Sequence, residues 1–288
     1  SVILSTEAGV AGGKDAGFVG SIDASTPPAA GAVGSVSFGV VASSPALFAV
    51  SSVHPSSIDW TWSAAPSFGD AGSRLYRVFA STVTAPLPAP QATASSLAAG
   101  VTEDALTPNT TYSRFVTAYT DWGDSAPSGS VSTHTLAAEP GLGAPSFGAV
   151  TATGLTFGWS AGVPANPSYT TYELNVSTSA AFAAPVSTSF AAATSSSPAR
   201  LAPNTTYSFR VRAINLDGVP TTYLVAQATV TLAEAPASPA AGPVHITSVV
   251  FTWSAGTNPP DTLYTAQISS DNFFSMTDSS STLATSAT

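Results

Sequence analysis

Cysteine is absent from this chain of 288 residues, and positively charged residues are few. The absence of cysteine excludes a disulfide framework, a thiol nucleophile and a thiolate metal site. Seven Lys and Arg against sixteen Asp and Glu give a net charge of −9, which excludes the basic surface that nucleic acids and anionic membranes attract. No apolar run approaches the roughly 18 residues that a membrane-spanning helix needs. We therefore expect no nucleic-acid partner and no membrane span.

What the sequence does contain is a long internal repeat. Trp62, Trp159 and Trp253 stand in similar contexts and are 97 and 94 residues apart. The box PNTTY occurs at 108–112 and again at 203–207. A repeat of this length corresponds to one β-sandwich domain of about 100 residues, so the chain is predicted to be a tandem array.

Within each repeat the apolar residues alternate with polar ones. Ile58, Trp60 and Trp62 form one such series, and Tyr76, Val78 and Ala80 form the next. Strict alternation is typical of strands with one face in a core and the other in water. We predict an all-β chain in which Trp62, Trp159 and Trp253 are core residues.

The PNTTY box precedes another alternating series, Tyr207, Phe209, Val211 and Ala213 in the second repeat. A tyrosine at such a position can bury its ring at the corner between two sheets and return its hydroxyl to the backbone, as in the tyrosine corner of Greek-key sandwiches. Tyr112 and Tyr207 are therefore predicted to be structural residues of the core.

Together these motifs resemble fibronectin type III domains, because the tryptophan strand and the tyrosine strand recur at the right separation in two repeats. The resemblance covers residues 44–139 and 140–235, and part of a third domain at 236–288. It implies tandem Greek-key β-sandwiches that act as spacer, adhesive or binding modules outside the cell, here of a bacterial-type secreted or surface protein. The family has no catalytic residues to transfer, so we expect no enzyme and no cofactor.

One residue departs from the pattern. Arg114 stands in the first repeat where the second has Phe209. A lone buried guanidinium is too costly, so either a bulge shifts the strand register or the side chain of Arg114 reaches out of the core to a carboxylate.

The third domain is predicted to lack its last strands. The box follows the tryptophan by 46 residues from Trp62 to Pro108, and by 44 from Trp159 to Pro203, which places its third copy beyond residue 288. We expect an apolar groove lined by Phe251, Trp253 and Ile268.

Residues 1–43 form an amino-terminal arm or partial domain with strand-like pieces at 1–6 and 35–43. Two interpretations remain open. The arm of one copy fills the groove of the next by donor-strand complementation, which gives a head-to-tail filament or sheath. Alternatively, the chain is a piece of a longer multi-repeat protein.

Candidate ligand-binding residues are few. His54, His134 and His245 have no partner at metal-ligand spacing, so no metal site is predicted. No G-x-S-x-G elbow or ordered Ser/His/Asp set is present. Asp121 and Asp124 flank a turn and are too few to define a Ca²⁺ site. Trp122 between them is a possible contact for a sugar or a protein partner.

Three N-x-S/T sequons, at Asn109, Asn175 and Asn204, are candidate glycosylation sites. The predicted function is that of an extracellular or cell-surface structural protein that self-assembles and adheres to copies of itself, other surface proteins or glycans. The alternative is a carbohydrate- or protein-binding accessory segment of a large secreted enzyme or adhesin.

Overall fold

The computed structural model of the chain describes residues 41–66, 74–81 and 92–288. Every regular element in these ranges is a β-strand, numbered here β1 to β20. The chain divides into two compact units, residues 1–136 and 137–288. The predicted all-β tandem sandwich fold is confirmed.

The first unit contains one sandwich, called here the first sandwich. Its smaller sheet has the order β1-β2-β5, and its larger sheet has the order β4-β3-β6-β7, with β8 also paired to β6. The strands are β1 (Ala46–Val53), β2 (Ile58–Ser63), β3 (Leu75–Ala80), β4 (Ala92–Ser96), β5 (Gly100–Glu103), β6 (Thr111–Thr120), β7 (Gly123–Asp124) and β8 (Val131–His134).

The second unit opens with the second sandwich, which has the same strand order. Its sheets are β13-β10-β9 and β12-β11-β14-β15. The strands are β9 (Gly141–Gly148), β10 (Thr156–Ser160), β11 (Thr171–Ser177), β12 (Ser187–Ala191), β13 (Ser195–Ser196), β14 (Thr206–Ile214) and β15 (Gln227–Val230).

The remaining strands of the second unit form the third strand set. They make the sheets β16-β17-β20 and β18-β19. The strands are β16 (Ala237–Val244), β17 (Val249–Ser254), β18 (Tyr264–Ile268), β19 (Asp278–Thr282) and β20 (Ser286–Ala287). Within the described residues, β18 has no counterpart of β6 or β14 beside it.

Each complete sandwich packs its two sheets around the predicted tryptophan. Trp62 and Trp159 are 5% and 4% exposed. Their rings lie 5.2 Å from Tyr76 and 5.7 Å from Tyr172, the first core residues of β3 and β11. Alternate residues of β2 and β10, the strands that carry these tryptophans, are buried, which is the consequence of a pleated sheet with one apolar face.

The predicted tyrosine corner is present in both sandwiches. The hydroxyl of Tyr112 accepts a hydrogen bond of 2.8 Å from the backbone N–H of Thr107. The hydroxyl of Tyr207 accepts one of 2.8 Å from the N–H of Ala202. Tyr207 is a member of the same buried cluster as Trp159, whereas Tyr112 packs against its core from a partly buried position.

The asparagine of the PNTTY box shapes the corner. Asn109 and Asn204 have φ values of 48° and 44°, in the left-handed region that asparagine tolerates better than most residues. Their N–H groups donate to the carbonyls of Leu136 and Leu232, both at 3.0 Å. The box is therefore a folding device that ties the corner to the end of the last strand.

Arg114 is paired inside the first sandwich, and its strand has no bulge at this position. Strand β6 pairs with β3 in continuous register, with Ala80 opposite Arg114. Arg114 is 7% exposed and Glu103 is 4% exposed, and Nη2 of Arg114 lies 2.8 Å from Oε1 of Glu103. The indole Nε1 of Trp60 donates to Oε2 of Glu103 at 2.9 Å. The carboxylate thus lies within the sandwich and links β2, β5 and β6.

We expect Arg114→Ala to reduce the free energy of unfolding of the first sandwich by about 3–5 kcal/mol, because it leaves the Glu103 carboxylate buried without its cation. Urea unfolding of the full chain measures this effect. The double variant Glu103→Ala/Arg114→Phe, which removes both charges, should lose less stability than Arg114→Ala. Equal losses in the two variants would contradict this account of the pair.

Candidate functional sites

The third strand set leaves part of its inner face open. Phe251 on β17 is 39% exposed, whereas the equivalent residues Phe157 and Trp60 are 0% and 1% exposed. Ile268 on β18 is 46% exposed, whereas its equivalent Val176 is 1% exposed. Clefts of 360 and 430 Å³ lie along these side chains. Trp253 is partly buried beside the second of them. We call this feature the open groove.

The open groove lies on a base that is anchored like that of a complete sandwich. The side-chain amide of Asn258 accepts from the N–H of Glu234 and donates to its carbonyl, both at 2.8 Å. Asn166 makes the same pair of 2.8 Å hydrogen bonds with Ala138 at the start of the second sandwich. The third strand set therefore begins as the second sandwich does, and differs from it at the β18 edge.

A further hydrogen bond joins the third strand set to the second sandwich. Nδ2 of Asn204 donates to Oγ1 of Thr262 at 2.9 Å. Thr262 is 2% exposed, so the corner box of the second sandwich also holds the loop before β18.

Trp122 lies at the tip of the hairpin between β6 and β7. Thr120 pairs with Gly123 across the turn, and Gly123 has a φ of 120°, in the region that favours glycine. Trp122 is 44% exposed. Its indole is accessible to a ligand, as the position in a turn predicts.

Asp124, on the other side of the turn, is engaged by the fold. It forms an ion pair with Arg77 and accepts a hydrogen bond of 2.7 Å from Oγ1 of Thr117. The guanidinium of Arg77 also lies 4.0 Å from the ring centroid of Tyr119. The carboxylate of Asp124 thus secures the turn, in keeping with the structural interpretation of this sequence.

The structure brings Ser52, His54 and Asp59 together at the edge of the first sandwich. Oγ of Ser52 lies 3.2 Å from Nε2 of His54, and Oδ2 of Asp59 lies 3.6 Å from the same nitrogen. A catalytic triad has the serine and the carboxylate on different ring nitrogens, whereas here both oxygens approach Nε2 of His54. Hydrogen bonds from Ser52 and Thr102 lower the pKa of Asp59 against a smaller effect of burial, which indicates a carboxylate engaged by its own strands.

Of the other histidines, His134 lies in β8 and His245 lies in the β16–β17 turn. Among the residues that the structure describes, no three His, Asp or Glu side chains are close enough to hold a metal ion. The described parts of the chain also contain no helix of the length and apolarity needed to cross a membrane.

The sequons occupy unequal positions. Asn109 and Asn175 are 1% and 3% exposed, and Nδ2 of Asn175 donates to Thr188 and Glu173, both at 3.2 Å. A glycan on a buried amide would have no room, so the structure argues against the glycosylation expected at these two residues. Asn204 is partly exposed, and its glycosylation stays a prediction.

Asn175 belongs to a polar cluster on the outer face of the second sandwich that the sequence analysis missed. Glu173 lies 2.6 Å from Nη2 of Arg212, and the hydroxyl of Tyr223 donates to Glu173 at 2.9 Å. The guanidinium of Arg210 lies 4.3 Å from the ring centroid of Phe182 and 4.1 Å from that of Tyr223. Cation–π contacts and the hydrogen bond from Tyr223 to Glu173 hold the segment after β14 on the sheet.

The available signal for this cluster was weak. Glu173 and Arg212 stand at outward positions of two alternating strands, where charged residues are expected to face water. Their pairing depends on the antiparallel register that places Glu173 opposite Arg212, which the sequence does not specify.

The cluster shifts two pKa values. Burial raises the pKa of Glu173, but hydrogen bonds from Arg212, Tyr223 and Asn175 and the charge of Arg212 outweigh it, so that the pKa is lowered overall. Burial, and next the hydrogen bond to Glu173, raise the pKa of Tyr223. Both shifts favour the carboxylate with a neutral phenol at neutral pH.

We expect the stability of the second sandwich to fall in acid through Glu173. A lowered folded-state pKa stabilises above the unfolded value of about 4.3, and this contribution is lost as the pH falls through the lower folded-state pKa. Urea unfolding of the full chain and of Glu173→Gln, at several pH values from neutral to acid, tests this.

The difference in free energy of unfolding between the unmodified chain and Glu173→Gln should shrink as the pH falls. The variant Asp261→Asn, which changes an exposed carboxylate, should keep the acid sensitivity of the unmodified chain. A Glu173→Gln penalty that is equal at all pH values would contradict the proposed role of the ion pair.

Comparison with known proteins identifies similar folds at low identity. No family model matches the chain, and no curated protein matches it. A two-domain fibronectin type III segment of chicken tenascin is 12% identical over 65% of this chain and 99% of its own, with a TM-score of 0.45. The FN1–FN3 domains of chicken CNTN1 are 12% identical over 86% of this chain and 88% of theirs, with a TM-score of 0.32.

A central fibronectin type III array of RIM-binding protein is 19% identical over 74% of this chain and 79% of its own, with a TM-score of 0.25. The two complete sandwiches share one strand order and one tyrosine corner. The described residues thus form a tandem array of β-sandwiches.

Proposed function

We propose that the chain is a non-catalytic, extracellular structural protein whose copies join head to tail. In this proposal residues 1–43 are an amino-terminal arm, 44–139 and 140–235 are complete domains, and 236–288 is a partial domain that accepts a strand. One observation carries the proposal: Phe251 and Ile268, at positions that are fully buried in the second sandwich, are 39% and 46% exposed.

The energetic argument rests on the open groove. Complete burial of one large apolar side chain contributes about 1.5–3 kcal/mol, and two such side chains are half exposed in the groove. Among the described residues no strand pairs with the second edge of β18, and an edge of this kind attracts a further strand. An added strand satisfies both at once, as in other cases of strand addition.

A heterologous contact of this kind generates an open series of copies. The surface that accepts the strand differs from the segment that donates it, so each added copy presents a new acceptor. A filament or sheath on the cell surface is the assembly that we propose, with other surface proteins or glycans as further partners.

We expect Ile268→Lys to prevent concentration-dependent assembly of the full chain, because the groove must then bury an ammonium group without a partner. Sedimentation velocity over a range of protein concentrations measures this. The matched control is Ile246→Lys, since Ile246 is fully exposed and lies between β16 and β17. It should leave assembly unchanged. Monomeric behaviour of the unmodified chain at all concentrations would refute the proposal.

A binding module attached to a larger secreted protein is the second candidate, and the exposure of Trp122 favours it. An exposed indole offers a flat apolar surface for stacking against a sugar ring. Leu216 stands in the corresponding turn of the second sandwich and is 50% exposed.

Native gel electrophoresis through soluble starch, xylan or β-glucan separates the two candidates. The binding function predicts retardation by one of these polysaccharides that is lost in Trp122→Ala and kept in Leu216→Ala. Migration that is unaffected by every polysaccharide, or unaffected by the Trp122 substitution, would count against carbohydrate binding at this turn.

A further inference from the structure

The sequence that leads into the first sandwich repeats the sequence that leads into the second. SVSFGVVASSP at 35–45 and SVSTHTLAAEP at 130–140 are identical at five of eleven positions. Residues 130–140 include β8, the last strand of the first sandwich, and the link to the second. By the same pattern, residues 35–41 have the sequence of the last strand of a sandwich.

The described part of this segment occupies the equivalent place. Ala42 is 1% exposed in the core of the first sandwich, and Ala137 is 3% exposed in the core of the second. Pro45 and Pro140, each three residues further on, are also buried. Ala42 and Ala137 therefore occupy equivalent positions at the start of the first and second sandwiches.

A second strand sequence precedes the first at the expected spacing. FVGSIDA at 18–24 matches YSRFVTA at 112–118 and YSFRVRA at 207–213, with apolar residues at the first, fifth and seventh positions. Its last residue precedes the junction proline by 21 residues, against 22 and 23 in the two complete sandwiches. A PNTTY box is missing before it.

We infer that residues 18–41 of one copy provide the two strands that complete the third strand set of another copy. This inference rests on the proposed function and names its donor. The segment carries a single charge, Asp23, and is therefore suited to an apolar groove. By this alignment Asp23 is equivalent to Thr117 and Arg212 on β6 and β14, which lie on the outer face of the sheet.

The short link between the donor sequence and the first sandwich favours a second copy as the source of the donor strands. Four residues, 42–45, separate the donor sequence from the first sandwich, whereas the acceptor follows the second sandwich. Insertion into the groove of the same chain would close the array into a ring through this short link. Insertion into another copy requires no closure and continues the order of strands and junctions from chain to chain.

The complete sandwiches give the register of the contact. Arg77 pairs with Thr117, and Glu173 pairs with Arg212. Thr265 is the equivalent of Arg77 and Glu173, since each follows the tyrosine that packs on the core tryptophan. Asp23 is therefore placed opposite Thr265, both facing outward.

Two single-cysteine variants of the full chain test this placement, because the natural sequence has no other thiol. Asp23→Cys and ¹⁵N-labelled Thr265→Cys are mixed and oxidised, and intact mass identifies the mixed dimer. Facing residues of an antiparallel pair lie about 4.5–5.5 Å apart between Cα atoms, within the range of a disulfide. The control replaces Thr265→Cys with Thr252→Cys, an exposed position on β17.

We expect the 23–265 mixed dimer to exceed the 23–252 mixed dimer. Equal yields would overturn the inference, and if the chains still assemble in sedimentation, the proposed function survives with another donor. A monomeric cross-link in the double variant Asp23→Cys/Thr265→Cys, without mixed dimers between the single variants, would instead place the donor in its own chain. That result would exclude a second copy as the source.

Discussion

The core of each sandwich depends on the strand whose tyrosine packs against the core tryptophan. That strand needs a neighbouring strand at each of its two edges. That strand is β3 in the first sandwich and β11 in the second. A long strand, β6 or β14, pairs with it and extends the apolar inner face of the sheet. Val78 and Leu174, at the centre of these strands, are 0% and 2% exposed as a result. In the third strand set β18 has β19 at one edge, and the apolar face remains open toward the other. The burial of apolar surface that stabilises the first two sandwiches is incomplete in the third strand set, and this is the basis of the proposed strand exchange.

The two complete sandwiches fill an equivalent space with opposite chemistry. In the second, Phe209 stacks on Phe157 with ring centroids 5.3 Å apart. In the first, the pair Arg114–Glu103, capped by the indole of Trp60, occupies that space. Buried ion pairs contribute little net stability over well-packed apolar residues, whereas loss of one partner is costly. The aromatic pair is held by packing alone, while the ion pair ties three strands together by direction and charge.

Charge is scarce in this chain, and much of it is used within the fold. Arg77, Arg114 and Arg212 each pair with a carboxylate. Arg210 lies between two aromatic rings. Long-range attraction to an anionic partner therefore has few cationic groups to act through among the described residues. Recognition by apolar burial and backbone pairing at a strand edge is the mode that this distribution of residues favours.

The sequence by itself determined the strands, the repeat and the corner, because a period of two and a recurring tryptophan and tyrosine follow directly from a pleated sheet with one apolar face. Tertiary structure alone decided how Arg114 is accommodated, which sequons are buried, and that Glu173, Arg212 and Tyr223 meet. These outcomes depend on pairings between residues up to 50 positions apart. A change of strand register by one residue would turn each of those side chains to the other face of its sheet.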